Sequence, residues 1–224
     1  ARAWRGRVLA LLGKEAEAAA DLDAACALAP YEAMPHLLRG LWRLERYGDR
    51  RGLPQAFWDG RAMEFAPTRA ESEEERVLRE GGLEDLAQAN AASAAAAPSR
   101  ELTLGRALAA LWTGGADGWR IALAEAAQLE GPRAERVRAR ALYHLARFDE
   151  AIASFDRLLA AWPEDAEAWS ERGMARFGRA AADSAGGADA RPGFRKAITD
   201  YDQAIRRGET PRMRLNRGAA WYAI

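Results

Sequence analysis

The sequence predicts an all-α protein built from repeated pairs of helices. Between 132 and 169, apolar residues recur at the spacing of one helical face after Phe148, until Pro163 interrupts the pattern. Prolines recur along the chain at steps of roughly 34 residues, the period of helix–turn–helix arrays. Ala, Leu, Arg and Glu favour helices, and the few β-branched residues disfavour a sheet.

Three parts of the chain share a pattern of small and large residues. The matching sets, each with the same offsets, are Ala18, Leu22 and Ala25; Ala151, Phe155 and Leu158; and Ala197, Tyr201 and Ala204. A small residue, Gly6, Ala139 or Gly173, precedes each set. Two helices approach closely only where a side chain is absent or is a methyl group. The sets therefore predict hairpins of one design.

The pattern resembles that of the tetratricopeptide repeat (TPR) family. The residues that carry the resemblance are Trp169, Arg172 and Gly173 on a first helix, helix A, and Ala197, Tyr201 and Ala204 on a second, helix B, with Pro211 following. It implies a right-handed superhelical solenoid of helix–turn–helix repeats. In such arrays helix A lines a concave groove that holds peptides, and helix B lies mostly outside.

Prolines and glycine turns divide the chain into repeats. The predicted repeats are 1–32, 33–68, 69–98, 99–131, 132–165 and 166–211, with a partial repeat at 212–224. For 33–68 we expect helix B over 53–66, and for 69–98 a turn at Gly81-Gly82, with a linker at 93–97 as the alternative. The Gly- and Ala-rich segment 178–193 predicts a flexible insert, either a partner contact or a tolerated insertion.

Charge and composition exclude several classes of partner. Lys+Arg and Asp+Glu both number 33, so nothing draws the chain generally to nucleic acid or to an anionic membrane. No apolar run is long enough to span a membrane. We expect a cytoplasmic protein, and bacterial because Arg replaces nearly all Lys. The chain starts and stops within helix A patterns, which favours a segment of a longer protein.

The sequence contains no recognisable catalytic or metal-binding motif. It has no phosphate-binding glycine loop, CxxC, HExxH or GxSxG pattern. His36 and His144 lie far apart, and Cys26, the single cysteine, is expected in the core. We therefore expect no enzyme activity, no cofactor and no metal.

A row of basic residues marks the candidate binding surface. Arg133, Arg136, Arg140 and His144 fall on one face of helix A in the 132–165 repeat. The further candidates, beside this row or at helix A positions of other repeats, are Arg106, Tyr143, Met174, Phe177, Arg212 and Asn216. Because Arg binds carboxylates bidentately, the row predicts a groove for an acidic peptide or a C-terminal carboxylate. The alternative is a solvated Arg-rich face paired with Glu135 and its neighbours.

Three functions fit these features. The first is a non-catalytic scaffold that binds a protein or peptide in the helix A groove. The second is a regulatory or docking segment of a larger bacterial enzyme, such as a serine/threonine kinase. The third is self-association through exposed end repeats, with Trp4 and Trp221 pairing between chains.

Overall fold

A computed structural model describes residues 1–50, 72–93, 99–113 and 115–224, with the backbone alone at 48–50 and 112–113. All regular structure in these ranges is helical, which confirms the all-α prediction. The helices are α1 (Arg2–Leu11), α2 (Glu15–Leu28), α3 (Ala33–Arg50), α4 (Glu73–Ser93), α5 (Arg100–Thr113), α6 (Gly115–Ala127), α7 (Pro132–His144), α8 (Phe148–Ala161), α9 (Ala166–Ala185), α10 (Arg191–Arg207) and α11 (Pro211–Tyr222). Among these helices, none is both long and apolar enough to cross a membrane.

The chain forms two compact units, Ala1–Gly118 and Trp119–Ile224. In the first unit α1 packs against α2, both contact α3, and α3 packs against α4 and α5. In the second unit α7 to α11 each pack against the next helix, and α9 also contacts α7 and α11. Each unit therefore places successive helices A side by side.

Side-chain caps and prolines fix several helix starts. Ser72 and Glu75 form a capping box at α4, in which each side chain accepts a hydrogen bond from the other residue's backbone N–H. Asp165 caps α9 by accepting from the Ala168 N–H. Pro132 and Pro211 do not end the preceding helices but are the first residues of α7 and α11. A first-turn position needs no N–H, which is why proline is tolerated there.

Each unit has its own apolar core. In the second unit, the α7–α8–α9 core is formed around Leu142, Phe155 and Leu158, all buried. The next core contains Ile198 and Tyr201 of α10, with Met174 and Phe177 of α9 packed against them. Because one helix contributes to two cores, each hairpin is stabilised by its neighbour.

The structure corrects the turn predicted within 69–98. Helix α4 continues through Gly81-Gly82, so the predicted turn there is wrong. Gly82 instead permits close packing, since a Cβ at that position would lie 2.7 Å from the Leu44 Cγ. Among the described helices, α4 packs along α3 at this glycine. The predicted helix at 53–66 lies outside the described residues. The same holds for most of the alternative linker at 93–97.

The segment 178–193 is mainly helical, so the predicted flexible loop is wrong. Helix α9 continues to Ala185 and α10 begins at Arg191, which leaves a loop over 186–190. Gly178 serves packing, since a Cβ there would lie 2.6 Å from Phe148 Cε1. The added turns are held together by Phe177 of α9 and Phe194 of α10, whose ring centroids are 5.1 Å apart.

Candidate functional site

Within the described ranges, one ion pair recurs inside three hairpins. It joins an Arg of helix A to a buried Asp of helix B. The three pairs are Arg5–Asp21, Arg39–Asp85 and Arg172–Asp200. The shortest Nη–Oδ separation is 2.6 Å in the second pair and 2.7 Å in the third. Because a buried carboxylate is costly without a partner, this pair penalises any shift of one helix along the other.

A glycine beside each of these arginines receives the next residue of helix B. A Cβ on Gly6 would lie 2.9 Å from Leu22 Cγ, and one on Gly173 would lie 2.8 Å from Tyr201 Cε1. Gly40 has the same relation to α4, where Leu86 Cδ2 would lie 3.0 Å away. The helices of these hairpins therefore touch at a fixed register.

The same arginine position also links successive hairpins. Arg39 and Arg172 each contact a second Asp, which lies on the helix B of the preceding hairpin. The three links of this kind are Arg39–Asp23 at 3.0 Å, Arg172–Asp156 at 2.6 Å and Arg217–Asp202 at 2.8 Å. Partners of this kind hold neighbouring helices A in one orientation, so the side chains on their faces have fixed positions.

The basic row of α7 meets an acidic row of α9. Arg140 Nε donates to Glu171 Oε1 at 2.6 Å, and its Nη2 donates to Glu167 Oε1 at 3.2 Å. Arg136 Nη1 donates to Glu167 Oε2 at 3.1 Å, and its Nη2 donates to Asp165. Both arginines are mostly buried by these contacts. The carboxylates of Asp165, Glu167 and Glu171 therefore neutralise the two arginines that the sequence places in a basic groove.

Arg212 extends the row to α11. Its Nη2 lies 3.2 Å from the Met174 Sδ. Burial lowers the pKa of the Arg212 guanidinium below its ordinary value, against the opposing attraction of Glu171 and Glu167. We call the surface formed by Arg136, Arg140, Tyr143, Glu167, Glu171, Met174, Arg212 and Asn216 the A face.

Two of the predicted site residues belong to the A face only at its edge. Arg133 is exposed on the first turn of α7, and no ion pair among the described residues includes it. His144 stacks on Trp119 of α6, with ring centroids 4.9 Å apart. Tyr143 makes edge contacts with His144 and with Phe148. The aromatic side chains therefore lie at the α6 end of the row.

Two other predicted residues lie elsewhere. Phe177 packs within the α9–α10 hairpin against Phe194, because this turn of α9 faces α10 rather than α7. Arg106 lies on α5 in the first unit, so it is not part of the A face described in the second. Glu135, expected as the partner of the row, pairs with Arg138 and Arg157 instead.

The comparison with known families bears on this part of the chain. Residues 132–177 match the Tetratricopeptide repeat family. This part of the chain contains a tetratricopeptide repeat (TPR). The match covers α7, α8 and the first part of α9, the helices that carry the two charged rows. No curated protein matches the chain. A TPR indicates a module for protein–protein interaction, typically without catalytic chemistry of its own.

Sequence reasoning missed the acidic half of this TPR surface. Glu167 and Glu171 are four residues apart, as are Arg136 and Arg140, and each Glu follows its Arg by 31 residues. The signal in the sequence was a pair of opposite charges one repeat length apart on equivalent helices.

The insert contributes a separate feature, a surface cavity of about 560 Å³ lined by equal numbers of basic and acidic side chains. Its charged lining comprises Arg176, Arg179, Lys196, Asp149, Asp183 and Asp189.

Proposed function

We propose that this protein binds a segment of a partner protein across the A face. The observation that carries the proposal is the continuity of that face. Ion pairs join α7 to α9, and the contact between Arg212 and Met174 joins α9 to α11. The three helices A, α7, α9 and α11, thus present one ordered row of side chains. An ordered surface loses less conformational entropy on binding.

The charges of the A face define the chemistry of the segment. Arg136, Arg140 and Arg212 are offset by Asp165, Glu167 and Glu171 on the facing helix. A balanced face exerts little net attraction on an acidic peptide, because each approaching carboxylate also meets a carboxylate of α9. We therefore propose a segment without strong net charge, held by apolar contacts to Tyr143 and Met174 and by hydrogen bonds to polar groups of the row.

Site-directed photo-crosslinking tests the proposal without disturbing the ion pairs. A photoreactive amino acid replaces Arg133 or Asn216, at opposite ends of the A face, and the full chain is exposed to a lysate of its source organism. The matched control carries the same amino acid at Ala153, an exposed position of α8 on the helix B side. We expect one partner to be captured at 133 and at 216 but not at 153.

Two outcomes would refute the proposal. One is capture of the same protein at position 153. The other is that neither 133 nor 216 captures a partner that the unmodified chain binds in the same lysate. Charge reversal of Arg136 and Arg140 is a poorer test. It would leave Glu171, whose side chain is 4 % exposed, facing like charge, so lost binding could reflect lost stability.

A further inference from the structure

The long hairpin of α9 and α10 encloses a surface cavity of about 560 Å³, which we call the α8–α10 cavity. Helix α9 has 20 residues, whereas α7 has 13, so its last turns extend past Phe148 at the start of α8. The cavity lies beside these added turns, between the start of α8, the 176–183 part of α9 and residues 189–196. None of the residues that define the A face lines it, so it is a separate candidate site.

Hydrogen bonds give the order of the charged residues along the cavity. Arg176 Nη1 donates to the Lys196 carbonyl oxygen at 3.5 Å, so these two cations lie at the same end. At the other end the Ala188 N–H donates to the Asp183 carbonyl oxygen at 3.0 Å, which brings Asp189 close to Asp183. About two helical turns separate Arg176 from Asp183, or roughly 10 Å along the axis of α9. The cavity therefore has a basic end and an acidic end.

The basic end carries more positive charge than the protein compensates. Arg176 contacts Asp200 at 2.8 Å, and it shares this carboxylate with Arg172, which also contacts Asp156. Burial lowers the pKa of the Arg176 guanidinium below its ordinary value, against the attraction of Asp200. Lys196 adds a further charge, and within the described ranges no carboxylate pairs with its ammonium group. This end of the cavity is suited to an anionic group.

The acidic end has the opposite imbalance. Asp149 and Asp183 both pair with the guanidinium of Arg179, which lies between them. Asp189 pairs with Arg191 at 2.8 Å. Three carboxylates thus share two guanidinium groups, and all three remain partly exposed to solvent. This end of the cavity is suited to a cationic group.

The remainder of the lining is apolar. It is formed by Ile152, Ala180, Ala190, Pro192 and Gly193. The middle is bounded by small residues, since a Cβ on Gly193 would lie 2.7 Å from the Ala180 Cβ. An aliphatic chain can therefore lie between the two charged ends without burying a polar group.

We propose that the α8–α10 cavity binds a small linear zwitterion, an amino acid whose amino group and carboxylate lie at opposite ends of an aliphatic chain. The carboxylate contacts Arg176 and Lys196, and the ammonium group contacts Asp183 and Asp189. Such a ligand has no net charge, as the charged lining has none, and its two ends match the two imbalances. Each contact is a charge-assisted hydrogen bond, the stronger class of hydrogen bond.

Equilibrium dialysis of the full chain with radiolabelled ε-aminocaproate tests the proposal. Caproate lacks the ammonium group and hexylamine lacks the carboxylate, so they serve as matched competitors. We expect saturable binding of ε-aminocaproate at one site, with each competitor at least roughly tenfold weaker. Absence of binding at millimolar concentration, or equal competition by hexylamine, would overturn the proposal. Binding of trialanine in place of ε-aminocaproate would overturn the choice of an aliphatic ligand over a short peptide.

The decisive variant is Lys196→Gln. Its side chain is exposed and in no ion pair of the described ranges, so the unfolding transition should be kept. We expect the affinity for ε-aminocaproate to fall at least roughly tenfold, while that for hexylamine stays unchanged because hexylamine has no carboxylate. Arg195→Gln is the matched control, since Arg195 is the exposed neighbour on α10 and does not line the cavity. Equal affinity in wild type and Lys196→Gln, or an equal loss in Arg195→Gln, would place the ligand elsewhere and overturn the proposal.

Discussion

Gly173→Ala is expected to destabilise the second unit even though alanine is the better helix former. The added methyl carbon would lie 2.8, 3.0 and 3.1 Å from three ring carbons of Tyr201, which is 2 % exposed and has little room to move. Overpacking of this kind costs about 1–3 kcal/mol. Helix propensity returns up to ~1 kcal/mol. We therefore expect a net loss of about 1–2 kcal/mol in the free energy of unfolding.

Gly218→Ala is the matched control for this experiment. Gly218 follows the Thr210 cap of α11 at the same distance as Gly173 follows the Asp165 cap of α9, but its Cβ would meet no described atom within 4 Å. Only helix propensity acts there, so we expect a gain of up to ~1 kcal/mol. Urea unfolding of the full chain, followed by circular dichroism, measures the free energy of unfolding of both variants. The comparison requires that the dependence of this free energy on urea concentration, the m value, is unchanged. If Gly173→Ala proves as stable as Gly218→Ala, the close contact that we assign to the Gly173 position is wrong.

Three further predictions follow from single positions. Ala146 has a φ of +57° in the turn where the α1–α2 hairpin has Gly13, so Ala146→Gly should raise the free energy of unfolding by up to ~1 kcal/mol, and a decrease would exclude backbone strain there. Asp200→Ala should cost about 3 kcal/mol, because partly buried arginines lose their shared carboxylate. Asp202→Ala, at a more exposed pair, should cost ~1 kcal/mol at most, and equal losses in urea unfolding would contradict the distinction. Burial raises the pKa of the Cys26 thiol, so alkylation at pH 8 should require unfolding, and rapid labelling of native protein would contradict its burial.

The hairpins with short turns could be predicted from the sequence because their signals are local. The apolar stripe predicted up to Pro163 lies on α8, where Phe155, Leu158 and Leu159 are buried, although Trp162 at its end is 41 % exposed. The sequence wrongly predicts a turn at Gly81-Gly82 and a loop at Gly178. Glycine occurs both in turns and where two helices pack closely, so the residue type alone does not distinguish the two. Only the neighbour, Leu44 or Phe148, tells the two apart.

The candidate site was half predictable for a similar reason. Helical spacing alone places Arg136 and Arg140 on one face, and the structure confirms that placement. Whether such a face is basic depends on the opposite helix, where Glu167 and Glu171 neutralise it. An acidic ligand would have to displace contacts of 2.6 to 3.2 Å that already exist within the protein.

The helical fold, the presence of a TPR and the places of most helices can be predicted from the sequence, because helix propensity and periodicity act between residues close in the chain. Which glycines pack against a neighbouring helix and which arginines are neutralised depends on the tertiary structure. Those outcomes depend on atoms brought together from positions about thirty residues apart or more, as Arg140 and Glu171 are. Gly173 and Gly218 make the point most directly, since a Cβ at Gly173 would meet the ring of Tyr201, whereas one at Gly218 would meet no described atom within 4 Å.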